Sequence, residues 1–265
     1  MQPVLFTLGP LSVYSSGVFI ALGFAAGGSL SYVLAKRARL STDALIDYFL
    51  YAAVAGLIGA RLWDLVFTGF DVNSFWQAVS LWSGGLSLQG GLLAAGLTLW
   101  IIMRRHGQPV ARWFDILTIG LLVGLAIGKV GSFLYGDSFG KPTNLPWGVE
   151  FTDPLAPAAA LGTAVHPLQL YAAAAYAVIA VLCYRLYRTQ EAARETGRPG
   201  AAPVGNVFLT GMFLLATAQF ILEFVHAPAE ALVVNGINVV TAVSLGIMAV
   251  SGYFIFRQSQ ARGIR

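Results

Sequence analysis

Residues Phe114–Leu134 read FDILTIGLLVGLAIGKVGSFL. Only Asp115 and Lys129 are ionisable in this run, and they stand near its two ends. About 20 apolar residues wound as a helix cross the ~30 Å hydrocarbon core of a bilayer. A backbone in lipid must satisfy its own amides, so the run predicts a membrane-spanning helix. Working outward, six more stretches carry the same signature: about Val13–Leu34, Leu45–Phe67, Leu86–Met103, Pro167–Tyr187, Val207–Val225 and Ile237–Phe256. The third is short unless its glycine-rich start is included. These stretches are long and continuously apolar rather than alternating, which excludes a β-barrel.

Composition agrees. Of 265 residues, 57% are hydrophobic and 11% charged, where a soluble domain carries about 25% charged residues. The mean hydropathy is +0.72. Twelve acids and sixteen bases are too few to cover a soluble surface. The expected fold is therefore an all-α integral membrane protein of seven transmembrane helices. The single Cys183 allows no intrachain disulfide and reads as a small buried hydrophobe.

Thirteen of the sixteen bases fall in four polar stretches: Lys36, Arg37 and Arg39; Arg104, Arg105 and Arg112; Arg185, Arg188, Arg194 and Arg198; Arg257, Arg262 and Arg265. They follow the first, third, fifth and seventh spans. The positive-inside rule puts these stretches in the cytoplasm, with the N-terminus outside and the C-terminus cytoplasmic. The N-terminus lacks the basic lead of a signal peptide. Phe70–Trp82 and the proline-rich region 135–166 are then extracytoplasmic, and 188–205 is a cytoplasmic connector expected to be mobile. The whole chain is one transmembrane domain. No basic surface interleaved with aromatics points to nucleic acid.

Polar groups inside the spans are costly in lipid and so carry the functional reading. Arg61 and Asp64, three apart, share a helix face: they are a local ion pair, or a phosphate site in which Asp64 holds the guanidinium. Asp115 is expected to cap its own helix and pair with Arg112. Gly84–Gly91, Gly-Gly-Leu-Ser-Leu-Gln-Gly-Gly, sets Ser87 and Gln89 between double glycines, suited to close packing or a re-entrant start. Lys129, Ser132, Tyr135 and Asp137 bring charge and hydroxyls to the end of the fourth span, where they can hold an anion or simply close a helix end. His166-Pro167 opens the fifth span, with His166 as a cap or a proton-exchanging group. Gln219, Glu223 and His226 are spaced to meet along one face. The histidines 106, 166 and 226 make no metal pattern, and Gly-Leu-Ala-Ile-Gly-Lys at 124–129 lacks a full phosphate-binding loop. No metal or cofactor is expected.

Several motifs, taken in order, carry a resemblance. They are Gly-Ala-Arg-Leu-Trp at 59–63, Trp-x-Gly-Gly-x-Ser-x-x-Gly-Gly at 82–91, Gly-x-x-Gly-x-Phe at 128–133, Pro146-Trp147, His-Pro-x-Gln-Leu-Tyr at 166–171 and Phe-x-x-Glu-Phe at 220–224. Over roughly Tyr14–Ile255 the chain resembles the bacterial phosphatidylglycerol–prolipoprotein diacylglyceryl transferases. The resemblance implies an inner-membrane enzyme that moves a diacylglyceryl group from phosphatidylglycerol to the lipobox cysteine of a prolipoprotein, leaving glycerol phosphate. It implies an anionic phospholipid and a preprolipoprotein signal peptide as partners, and a monomer is expected. Carried over position by position, the catalytic candidates are Gln89, Lys129, Asp137, Glu223 and His226. The substrate-binding candidates are Ser16, Arg61, Ser132, His166 and Gln219.

The chain departs from the family pattern at several of these. Gln89 stands for a histidine, Lys129 and Ser132 for arginine and asparagine, and Asp137 for glutamate. Gln219 and His226 stand for arginines, and Ser16 for a tyrosine. A noncatalytic or altered-specificity relative that binds lipid or signal peptide is the alternative, and a small-solute transporter a more distant one.

Overall fold

The computed structural model describes residues 2–9, 11–68, 87–158, 162–196, 203–227, 233–234 and 237–263. The Phe70–Trp82 stretch and the Gly84–Gly85 pair lie outside the described residues. Among the described residues seven long helices run in sequence: α1 (Ser15–Arg37), α2 (Leu45–Thr68), α3 (Leu88–Arg105), α4 (Val110–Tyr135), α5 (Leu168–Glu195), α6 (Asn206–Glu223) and α7 (Val239–Gly263). Two short antiparallel hairpins, β1 (Val4–Leu8) with β2 (Leu11–Tyr14) and β3 (Val233–Val234) with β4 (Ile237–Asn238), precede α1 and α7.

Six of the helices are long and apolar enough to cross a membrane, and α3 falls short. Its 18 residues carry Gln89, Gly90 and Gly91 directly after Leu88 and end with Arg104 and Arg105, which dilute an otherwise greasy core. Large apolar side chains face outward on the long helices, Val66 at 73% exposure among them. Such a surface is stable where hydrocarbon, not water, solvates it. The chain is a multi-pass membrane protein.

Helices that share an apolar solvent gain little from burying leucine, so close packing has to hold them together. Glycines supply it. Gly23 and Gly27 of α1 lie against Gly124 and Gly120 of α4, and a Cβ on Gly23 would stand 2.5 Å from the Gly124 carbonyl oxygen. The pairing runs in opposite sense along the two helices, so α1 and α4 are antiparallel. The same device joins α2 to α3. There Gly59 and Gly90 face one another, and the Ser87 amide donates to the Ala60 carbonyl at 3.1 Å. Gly211 of α6 lies level with Thr118 of α4 and Cys183 of α5, and Gly252 of α7 packs on Phe213 of α6.

These contacts put the C-terminal ends of α1, α3, α5 and α7 at one end of the bundle, the basic end. The main core lies in that half, around Trp113, Tyr48, Leu34, Ile116, Met103 and Tyr187. A second, smaller core of Phe139, Phe151, Ala156, Ala158, Val165 and Ala227 sits at the opposite end, under the loop between α4 and α5.

Two expectations are corrected. Asp115 neither caps its own helix nor pairs with Arg112. Its carboxylate accepts the backbone N–H groups of Gly205 and Phe208, each at 2.8 Å, and so caps the first turn of α6 from a neighbouring helix. Arg112 pairs instead with Glu191 at 2.7 Å. The second correction follows from the first. The stretch Arg188–Glu195, taken from sequence as part of a connector, is helical and completes α5. Glu191 also binds Arg194 at 2.5 Å, and this intrahelical pair together with Arg112 holds the extra turns.

Candidate functional site

Every candidate residue lies toward the end opposite the basic one. Ser16 sits in the first turn of α1, where Ser15 and Phe19 pack against Gly131 of α4. Lys129 and Ser132 are on the last turns of α4, Gln219 and Glu223 near the end of α6, and Arg61 and Gln89 on the facing ends of α2 and α3.

The tightest assembly is built on the short segment that follows α4. Gly136 adopts a left-handed φ of +86° and its amide donates to the Ser132 carbonyl at 2.8 Å, which ends the helix. The chain reverses through Asp137 and Ser138, the latter at φ +51°. Residues 139–141 then run as a central strip between two others. On one side the Gly140 amide donates to the His166 carbonyl at 3.0 Å, and the His166 amide to the Lys141 carbonyl at 3.1 Å. On the other the Lys141 amide donates to the Val225 carbonyl at 2.8 Å, and the Ala227 amide to the Phe139 carbonyl at 3.3 Å. Gly140 is where the three strips crowd. A Cβ there would meet the His166 Cβ at 2.6 Å and the Val225 oxygen at 2.9 Å. This strip brings Asp137, His166 and His226 together although they are far apart in sequence.

Side chains complete the assembly. His226 Nδ1 stands 3.2 Å from Glu223 Oε1, and Asn238 Nδ2 donates to the same oxygen at 2.7 Å. Asn238 Oδ1 in turn accepts the Thr241 amide at 3.0 Å, so one residue caps α7 and fixes the carboxylate. Gln169, fully buried, donates its amide to the Asp137 carbonyl. Lys141 Nζ donates to the Phe224 carbonyl at the end of α6, at 2.8 Å, where a cation suits the helix dipole. Tyr171 receives the Trp147 indole N–H at 2.7 Å and lies 3.4 Å from His166 Nδ1.

The second group sits on α2 and α3. Arg61 and Asp64 form the expected pair, 3.6 Å apart, with the Arg61 side chain only 11% exposed. Ser87 donates its hydroxyl to Gln89 Oε1 at 2.9 Å. Gly90 packs against Trp63, which keeps Gln89 on the same level as Arg61. The α2–α3 hairpin joins the main core through Leu45, Tyr48 and Met103, all from its basic end. There Tyr48 OH meets His106 Nδ1 at 3.0 Å.

Asn238, Gln169 and Lys141 were missed as site residues from sequence. Asn238 was legible only as a helix cap, being an asparagine directly before an apolar run. Gln169 sits in a motif whose other members drew the eye. Nothing in the sequence says that Lys141 returns to α6. Among the described residues no cluster of three or more histidine, cysteine or acidic residues is placed to hold a metal ion.

Comparison with known proteins adds the family. The family described as prolipoprotein diacylglyceryl transferase matches residues 3–257. A phosphatidylglycerol–prolipoprotein diacylglyceryl transferase of Solidesulfovibrio magneticus is 32% identical over 238 residues, covering 86% of this chain and 82% of that one. One from Rhizobium meliloti is 30% identical over 248 residues, covering 86% and 80%. One from Legionella pneumophila (strain Lens) is 31% identical over 155 residues, covering 57% of this chain and 60% of the relative. Against the Legionella proteins the match therefore spans about 60% of their length.

Proposed function

The chain belongs to the prolipoprotein diacylglyceryl transferase family, and from that premise we propose that it transfers a diacylglyceryl group from phosphatidylglycerol to the cysteine of a lipobox peptide. It is a multi-pass protein of the bacterial inner membrane. The observation that carries the proposal is the gathering of every candidate polar group at the end of the bundle away from the basic residues. In this reading the basic end is cytoplasmic, the N-terminus is outside, and the chemistry takes place at the outer leaflet.

The reaction needs three things: a held phosphate, a thiol made nucleophilic, and charge stabilisation on the leaving group. A C–S bond forms to the glyceryl carbon as its C–O bond to phosphate breaks. The electron pair leaves with glycerol phosphate, and the thiol proton passes to a base. Arg61, steered by Asp64, is the phosphate ligand of this proposal, with Lys129 as a second cation. His226 is its base. Glu223 accepting from Nδ1–H directs the lone pair to Nε2, and Asn238 keeps the carboxylate in that position. Gln89 has no basic nitrogen, so it serves as a hydrogen-bonding contact. Asp137, Ser132, His166, Gln219 and Ser16 line the approach. Donor lipid enters sideways. Among the described residues the α2–α3 hairpin is tied into the main core at its basic end, which favours a lateral opening in the other half.

The test is direct. Purified protein, phosphatidylglycerol and a lipobox peptide are combined, and mass spectrometry reads the diacylglyceryl thioether on the peptide cysteine. No product where a relative from the same family works would overturn the proposal. One observation favours a second reading, a lipid- or peptide-binding relative without turnover. The Gln89 side-chain oxygen is already engaged by Ser87, and an amide cannot take the thiol proton. Native mass spectrometry showing retained lipid or peptide, with no thioether formed, is the result expected of that reading.

A further inference from the structure

Four cations of the described residues lie over aromatic rings, all with one spacing. Lys36 Nζ is 5.6 Å from the centre of the Tyr32 ring, and Arg104 is 5.3 Å from Trp100. Arg188 and Arg257 are 6.0 Å from Tyr184 and Tyr253. In each pair the ring precedes the cation by four residues. Side chains lean toward the helix N-terminus, so the cation folds back over the ring one turn before it. There is one such pair on each of α1, α3, α5 and α7, and all four are at the basic end.

The opposite end uses the same spacing differently. Trp63 and Phe67 close α2 with ring centres 5.0 Å apart, and Phe220 and Phe224 close α6 at 5.2 Å. The last turns of α2, α4 and α6 contain no basic residue. The cation–ring pairs are therefore a property of one membrane face and not of helix ends in general.

Two further observations say what meets them. Three of the rings face outward beside lipid-type surface, Tyr32, Trp100 and Tyr253 at 42%, 44% and 56% exposure, while Tyr184 is half-buried against the core. The cations are also left with their charge. At the same end Arg112 and Arg194 share Glu191. No carboxylate of the described residues lies within ion-pair distance of Lys36, Arg104, Arg188 or Arg257. A ring at the boundary of the hydrocarbon holds the cation at headgroup depth and restricts its long stem. A phosphate that arrives there orders less side chain than it would on a free arginine.

We propose that these four pairs are binding sites for the phosphates of anionic phospholipids in the leaflet at the basic end of the bundle. They are separate from the candidate transfer site, which lies at the other end and shares none of their residues. The proposal therefore stands whether or not the chain is a transferase.

The full chain is reconstituted in nanodiscs of phosphatidylcholine doped with phosphatidylserine, and native mass spectrometry counts each lipid carried out on the protein. All samples carry Arg61→Ala, which subtracts lipid held at the transfer site. The starting protein is expected to retain phosphatidylserine over phosphatidylcholine. Each of Lys36→Gln, Arg104→Gln, Arg188→Gln and Arg257→Gln should weaken its own site about fivefold, so that close to one phosphatidylserine is lost from the count while the other three sites keep theirs. The ring variants Tyr32→Leu, Trp100→Leu, Tyr184→Leu and Tyr253→Leu keep the charge and should each weaken their own site about threefold. Cation variants that retain phosphatidylserine undiminished overturn the proposal. Ring variants equal to the starting protein overturn the paired sites and leave only a diffuse charge. The four cations and the rings of Tyr32, Trp100 and Tyr253 are at outward-facing positions, so those single substitutions can be read in folded protein even where a combined variant fails, and at the half-buried Tyr184 the site is read through Arg188→Gln.

Discussion

Both ends of the bundle bring polar groups into a membrane protein, and they differ in what those groups do. At the basic end those turned into the bundle are spent on one another. Asp115 takes two backbone amides of α6, Glu191 takes two arginines, and Tyr48 meets His106. At the opposite end the backbone satisfies itself through the 139–141 strip, the Glu223–His226 dyad is held beside it, and Arg61 is held by Asp64 on α2. A polar group in a membrane must be paired somewhere.

This contrast predicts a double dissociation, with stability lost at one end and activity at the other. The largest effect is expected from Asp115→Ala, which orphans the amides of Gly205 and Phe208. It should cost about 4 kcal/mol, at 1–3 kcal/mol for each buried donor left unmade, measured by denaturation in detergent. Activity per folded molecule should not change, and a specific loss of activity would erase the contrast. Next is Arg61→Ala. Thioether formation is expected to fall ~100-fold, about 2.7 kcal/mol in transition-state terms, while the melting curve stays close to that of the parent. Equal turnover would remove Arg61 from the site.

Gly140→Ala tests the joint between the strips. Forcing a Cβ against His166 and Val225 should cost about 2 kcal/mol in stability and more in turnover, because His166 and His226 are positioned through it. The smallest effect belongs to Trp147→Phe, which deletes one half-exposed hydrogen bond to Tyr171. A change below about 1 kcal/mol is expected, and a larger one would mean that the loop between α4 and α5 is a structural part of the site and not its cover.

Much of the fold was legible because lipid imposes it. The seven apolar stretches each became a helix, with ends displaced by a few residues wherever polar side chains found partners. The end of α5 shows why such shifts escape a sequence reading. Arg188–Glu195 is polar and reads as a connector, while Glu191 meets Arg194 within the helix and Arg112, distant in sequence, to hold it as helix. Candidate site residues are legible where they stand out as charges in greasy surroundings, as Arg61 and Glu223 do. The Glu223–His226 pair was readable from its spacing alone. Asn238, Gln169 and Lys141 act through tertiary contacts that no local pattern encodes. Asp115 was seen as a cap, but assigned to the wrong helix: the pattern shows a carboxylate near a helix start and not which helix start lies beside it.

Where Gly23 and Gly27 meet Gly120 and Gly124, main chain rests directly on main chain. Such a seam forfeits no rotamer freedom on assembly, since glycine has none to lose. It is also incapable of repair. A leucine core absorbs an extra methyl by turning a neighbour, but peptide groups locked in two helices cannot turn. Even a single added carbon must push the whole of α1 away from α4, and every group carried on those two helices shifts with it.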